Sequence, residues 1–183
     1  MSARCPRTKA AQAAFSMIEV LVSITVFTLV SGAVVTSLTL SRALNNTNRE
    51  TILAAQAAES ALENLKATDF SEVFERYNAT AADDPAGPEA SPGLNFEVGG
   101  LAPLADDADG FAGRIDFPGD GLVLREDAVD AELGMPRDLD GDGLTDTADH
   151  ADDYRILPVR AVVEWRGQGR ARRFELVTVL NDL

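Results

Sequence analysis

The chain has 183 residues, with 30 acidic side chains against 16 basic ones and a formal net charge of −14. That balance argues against binding nucleic acid through its phosphate backbone, which needs a basic face. The single cysteine, Cys5, leaves no internal disulfide, and the length allows one small soluble domain beside the long apolar run described next.

Residues 1–14 (MSARCPRTKAAQAA) carry Arg4, Arg7 and Lys9 and no acid. Residues 15–40 (FSMIEVLVSITVFTLVSGAVVTSLTL) then form one apolar run whose only charge is Glu19, and no further charge appears before Arg42. About 20 apolar residues cross a bilayer, so the run is long enough for a membrane-spanning helix. A carboxylate inside such a helix costs roughly 2.5–3.5 kcal/mol at its centre on insertion scales, which makes Glu19 a functional candidate that needs a partner. The small residues of the leader precede the apolar run, whereas a secretory signal places its cleavage site after it.

Basic leader, small residue, Phe, three residues, Glu, then a hydrophobic helix: this order resembles the prepilin N-terminus of type IV pilins and type II secretion pseudopilins. Ala14, Phe15, Glu19 and the continuing IEVLVSITVF carry the resemblance. It implies cleavage between Ala14 and Phe15 by a prepilin peptidase and N-methylation of Phe15. It also implies an inner-membrane assembly platform and polymerisation with other pilins or pseudopilins into a type IV pilus or a type II secretion pseudopilus. The family usually has Gly before the cut; this chain has Ala14. After cleavage, the new amine of one subunit is expected to meet Glu19 of its neighbour. Opposite charges attract strongly in low dielectric, and removing one partner leaves the other buried at a cost of about 3–5 kcal/mol. The basic leader keeps the N-terminus cytoplasmic and sends the remainder across the membrane. The competing reading is a single-pass membrane-anchored calcium-binding or adhesive module that never polymerises, with Glu19 snorkelling to the interface.

Residues 41–77 are expected to continue the helix into the soluble part. Glu50–Ala67 is built of strong helix formers, and Ile52, Ala55, Ala58, Leu62 and Leu65 recur at helical spacing. Residues 78–155 read as an acidic, loop-rich region: from 81 to 153 there are 20 acids and three bases, with Gly and Pro clusters such as DDPAGPEASPG. Short strands are expected at Leu94–Val98 and Gly113–Phe117. Residues 156–183 read as a β-hairpin, with Ala161, Val163 and Trp165 alternating along one strand, GQGR as the turn, and Phe174, Leu176, Thr178 and Leu180 alternating along the other. Val159, Val163, Trp165, Phe174 and Leu176 are expected to pack on the helix. The fold class is therefore α+β: a long N-terminal helix on a small antiparallel sheet with an acidic insertion. Val-rich strands with a Trp just before a Gly turn resemble minor pseudopilins of the I class and minor pilins of the V class.

Within the acidic region, Asp138, Asp140, Asp142, Asp146 and Asp149 occupy positions one, three, five, nine and twelve of a calcium-loop template, with Gly143 at six and the carbonyl of Leu144 as the backbone ligand. Alternate residues in a tight turn aim their carboxylates inward, so Ca2+ is the expected cofactor. Asp149 is one methylene shorter than the usual Glu. His150 is the only histidine and is expected to be a solvated loop residue. No nucleophile elbow or phosphate-binding loop accompanies it, so the chain is not expected to be an enzyme.

Overall fold

The computed structural model describes residues 16–80, 82–85, 87 and 90–182. The expected cleavage and methylation residues, Ala14 and Phe15, lie outside them. The chain divides between Asn45 and Asn46 into two units, and one helix, α1 (Met17–Ala67, 51 residues), contributes to both.

In the first unit the apolar side chains of α1 are exposed on all sides, among them Ile18, Leu21, Phe27, Leu29, Val35 and Leu40. A helix that is hydrophobic all round belongs in a bilayer or a larger core, and this one is long and apolar enough to cross a membrane. Its hydroxyls are accommodated locally. Ser23, Thr25, Thr28 and Thr36 donate to the carbonyls of Glu19, Leu21, Ile24 and Gly32 at 2.7 to 2.9 Å, which removes the cost of an unpaired donor in hydrocarbon.

In the second unit α1 buries Ala54, Ala58, Ala61, Leu62 and Leu65. The expected stripe is corrected at its start: Ile52 is 56% exposed, and Ala54 takes its place in the core. The reason is rotation. At about 100° per residue, the six residues from Ile52 to Ala58 leave the two about 120° apart, whereas Ala54 and Ala58 lie nearly above one another. After α1, Asp69 caps a 3-10 turn (Phe70–Glu72), which leads into a short helix, α2 (Val73–Tyr77). Tyr154 ties this corner to the far end of the chain. Its hydroxyl donates to the Phe70 carbonyl and accepts from the Phe74 amide, and burial pushes the phenol up to about 12.

The sheet has four antiparallel strands in sequence order: β1 (Asn95–Phe96), β2 (Gly113–Asp116), β3 (Ile156–Gly167) and β4 (Arg170–Asn181). β3 and β4 pair along their whole length, from Ile156 opposite Asn181 to Gly167 opposite Arg170. The two-residue loop Gln168–Gly169 has positive φ at both positions, 47° and 78°, the backbone that fits the twist of a hairpin. At Gly113 a Cβ would sit 2.2 Å from the Phe96 ring, so only glycine lets β1 cross beside β2. Leu157, Val159, Ala161, Val163 and Trp165 of β3 join the helical stripe in one core, with Phe174 and Leu176 packed at its edge.

β3 is covered on its other face as well. Val162 is buried, and Arg160 reaches Asp116 at 3.0 Å, Asp130 at 3.1 Å and Glu132 at 2.8 Å. Burial alone would raise the Asp116 carboxyl, but hydrogen bonds and charge from Arg114 and Arg160 hold it below its usual range.

Two measurements test this account. Leu65→Ala should cost about 2–5 kcal/mol of unfolding free energy by loss of packing, while Ile52→Ala should change it by about 0.5 kcal/mol or less; denaturant titration followed by near-ultraviolet circular dichroism reads both. A depressed carboxyl contributes stability above its unfolded value of about 3.9 and loses it as pH falls through the lower folded value. The acid limb of a stability–pH profile should therefore be shallower in Asp116→Asn than in the parent.

Candidate functional site

The acidic region folds around one buried carboxylate. Glu126 is 1% exposed. Its Oε1 accepts the amides of Leu139 and Asp140, and its Oε2 accepts the amide of Asp146 at 3.1 Å. A polar group can be buried when hydrogen-bond donors surround it, because no acceptor is then left without a partner. Backbone pairs hold the same frame: Arg137 N–H to the Glu126 carbonyl, Asp127 N–H to that of Asp146, His150 N–H to that of Leu124, and Arg155 N–H to that of Leu139. Leu124 and Leu139, both fully buried, anchor the two sides of this frame in the main core.

The loop from Asp138 to Asp149 is wound by its own carboxylates. Asp138 accepts from the amides of Gly141 at 2.6 Å and Gly143 at 2.8 Å, and these bonds, Gly141 first, hold its carboxyl below the usual range. Asp140 accepts from Asp142 N–H, Asp142 from Leu144 N–H, and Asp146 from Ala148 N–H, at 2.7 to 2.9 Å. Gly141 and Gly143 sit at φ 81° and 89°, the left-handed conformation that glycine adopts at least cost.

The structure brings six ligand-bearing residues together in three overlapping groups: Glu126, Asp138 and Asp140; Glu126, Asp146 and His150; and Asp140, His150 and Asp153. Within each group, ligand atoms lie within 4.8 Å of one another. These groups could hold a metal ion. Asp138, Asp140 and Asp146 thus come from the expected loop set. Asp142 stands outside the groups, Leu144 is exposed, and Asp149 turns its carboxylate to the amides of Leu124 at 3.0 Å and Ala151 at 3.2 Å.

The expectation for His150 is corrected: it is buried, 5% exposed. Its ring meets Asp153 at 3.1 Å, Asp146 at 3.3 Å, Glu126 at 3.7 Å and Asp140 at 3.9 Å. Burial lowers its pKa, but hydrogen bonds to Asp146 and Asp153 and the charge of Glu126 outweigh this and raise it. Sequence reasoning also missed Glu126. Its one signal is position: it lies two residues after a short apolar run, Leu122-Val123-Leu124, in a stretch otherwise read as loop.

Glu19 lies in the first turn of α1, where the free amides of a helix start favour an acid. Among the described residues its carboxylate has no ion-pair partner. A model of the prokaryotic N-terminal methylation motif matches residues 9–35, a span that includes Phe15 and Glu19. No curated protein and no solved structure matches the chain. The motif points to a structural rather than a catalytic protein, and the helix that carries it is long and apolar enough to cross a membrane.

If Glu126 organises the loop, Glu126→Gln should cost about 1–3 kcal/mol, because an amide oxygen replaces two acceptors with one. Hydrogen exchange should locate the loss at the amides of Leu139 or Asp146, with the α1–β3 core unchanged. The methylation motif over residues 9–35 and the long helix packed on an antiparallel sheet are both what the pilin-like resemblance of the N-terminus implies.

Proposed function

We propose that the protein is a minor pilin or pseudopilin, a structural subunit of a type IV pilus or a type II secretion pseudopilus. The observation that carries this reading is the motif over residues 9–35, with one acid, Glu19, in an otherwise apolar run. Prepilin peptidase removes residues 1–14, cutting between Ala14 and Phe15, and Phe15 is methylated. The chain then waits in the inner membrane with its N-terminus toward the cytoplasm and its globular part outside. An inner-membrane platform delivers it to the filament, where Glu19 of one subunit pairs with the amine of Phe15 on another. The acid excess of residues 81–153 favours a minor subunit, because many copies of so acidic a surface would repel one another.

The loop Asp138–Asp149 binds Ca2+ and braces a domain that has no disulfide. Two features support this: the template spacing, and the gathering of Asp138, Asp140 and Asp146 with Glu126 and His150 in overlapping groups of ligand atoms. Glu126 and His150 stand close enough to join or replace the later loop ligands. Affinity should fall near 10⁻⁴–10⁻³ M, roughly the range of extracellular modules.

Mass spectrometry of membrane-extracted protein tests processing: the expected product begins at methylated Phe15, whereas an intact Met1 end would favour the anchored module that does not polymerise. Glu19→Val should still be cleaved yet enter filaments poorly; normal incorporation would remove the assembly role. Calcium should raise the melting temperature of the full chain in detergent, and Asp140→Ala should abolish the rise.

A further inference from the structure

His150 is the only imidazole in the chain, and it is buried among carboxyl groups. Its Nδ1 meets Asp153 Oδ1 at 3.1 Å and lies 3.9 Å from Asp140 Oδ2. Its Nε2 lies 3.3 Å from Asp146 Oδ1 and 3.7 Å from Glu126 Oε2. A neutral imidazole carries a single N–H. With that proton on Nδ1, donated to Asp153 across the shorter contact, the Nε2 lone pair faces two carboxylate oxygens. A nitrogen buried to more than nine-tenths is then aimed at acceptors with no donor of its own. Among the described residues no lysine or arginine pairs with Glu126, Asp140, Asp146 or Asp153.

The atoms that converge here are held in place by the backbone. Glu126 Oε2 accepts the Asp146 amide at 3.1 Å, and Asp146 Oδ1 accepts the Ala148 amide at 2.7 Å. Each oxygen keeps a further lone pair. His150 is fixed by its own amide, which donates to the Leu124 carbonyl at 2.9 Å. Ligand atoms of Glu126, Asp146 and His150 lie within 4.8 Å of one another. Atoms about 2.1 Å from one ion, at tetrahedral angles, sit roughly 3.4 Å apart. The separations of 3.3 and 3.7 Å about Nε2 are close to that spacing.

We propose that Glu126, Asp146 and His150 hold a divalent transition-metal ion of the zinc class, bound through Nε2 of His150. The donor set selects the metal. Calcium takes oxygen ligands, whereas an imidazole nitrogen beside carboxylates suits zinc and its neighbours. Asp153, on the far ring nitrogen, fixes the tautomer and strengthens Nε2 as a donor, as carboxylates do behind metal-bound histidines. The rival occupant is a second ring proton. It brings one positive charge to a ring with four carboxyl groups within 3.9 Å, and a divalent ion brings two. The proposal goes beyond the calcium reading, because Glu126 and His150 lie outside the calcium template and Asp146 alone is shared with it. An ion held in this way ties Glu126 to the end of the loop 20 residues further on.

The test uses the full chain in detergent, with Cys5→Ser and no histidine tag, so that no thiol or second imidazole competes. Micromolar zinc, added in millimolar calcium, should raise the melting temperature by several degrees. His150→Gln should lose that rise and keep the response to calcium alone. Copper(II) bound to the parent chain should show the remote-nitrogen modulation of one imidazole in pulsed electron paramagnetic resonance. That measurement decides the matter by itself where His150→Gln fails to fold. A parent chain that ignores zinc, a zinc rise that survives in a folded His150→Gln, or bound copper without imidazole modulation overturns the proposal. The calcium reading fails separately: a chain that answers zinc but not calcium removes the calcium loop and keeps this site, and the reverse response does the opposite.

Discussion

The soluble domain depends on one helix burying its stripe in the same core as one strand. α1 buries Ala54, Ala58, Ala61, Leu62 and Leu65, and all of these but Ala61 belong to one cluster with Leu157, Val159, Ala161, Val163 and Trp165 of β3. Such burial is what a domain without disulfides has in place of a covalent brace. The larger residues gather toward the end of the helix, where Leu62 and Leu65 join Val73, Phe74 and Tyr77. Trp165 fills the opposite end and spends its one donor on Glu50. The soluble part of the helix is thereby held to β3 at its start and joined to α2 at its end, and the other strands are positioned by pairing with β3 directly or through one neighbour.

β3 then serves a second layer. Its helix-facing side chains make the main core, and its other face carries Val162 and Arg160. Arg160 gathers carboxylates from β2 and from the loop beyond it. An arginine is suited to that position because it stays charged and offers several donors at once, so it collects acids that would otherwise repel one another. The acidic segment is consequently a packed layer, with Leu124, Leu133, Met135 and Leu139 turned inward and its charge turned outward or onto backbone amides.

The helix, the hairpin and its turn were legible in the sequence because they follow from local rules: period 3.6, period 2, and glycine at positive φ. The stripe was misread at Ile52 because hydrophobicity alone was followed; the bulkier residue faces solvent and the smaller Ala54 faces the sheet. Of the aspartates spaced along 138–149, Asp138, Asp140 and Asp146 come together, whereas Asp142 stands outside and Asp149 turns to backbone amides. Glu126 and His150 were not legible, for a physical reason. Burial of Glu126 depends on three amides that lie 13 to 20 residues further along the chain, and no pattern within a short window encodes such a meeting. His150 stood among acids in sequence and looked solvated, yet its amide bond to the Leu124 carbonyl draws the ring under the loop.

Two carboxylates leave water in this protein's expected environment, and they are met differently. Glu126 is surrounded by amides of its own chain, so its oxygens find donors as the domain folds. Glu19 has only the start of its helix behind it, with no cation among the described residues and apolar side chains for more than twenty positions ahead. A helix start offsets a lone acid by roughly 0.3–1 kcal/mol, well short of the cost of a carboxylate held deep in hydrocarbon. A satisfied charge fixes one chain's own shape, whereas an unsatisfied one favours whichever neighbour brings a cation. On that argument the proposed assembly role falls to Glu19, which has no ion-pair partner among the described residues, and not to the acidic region.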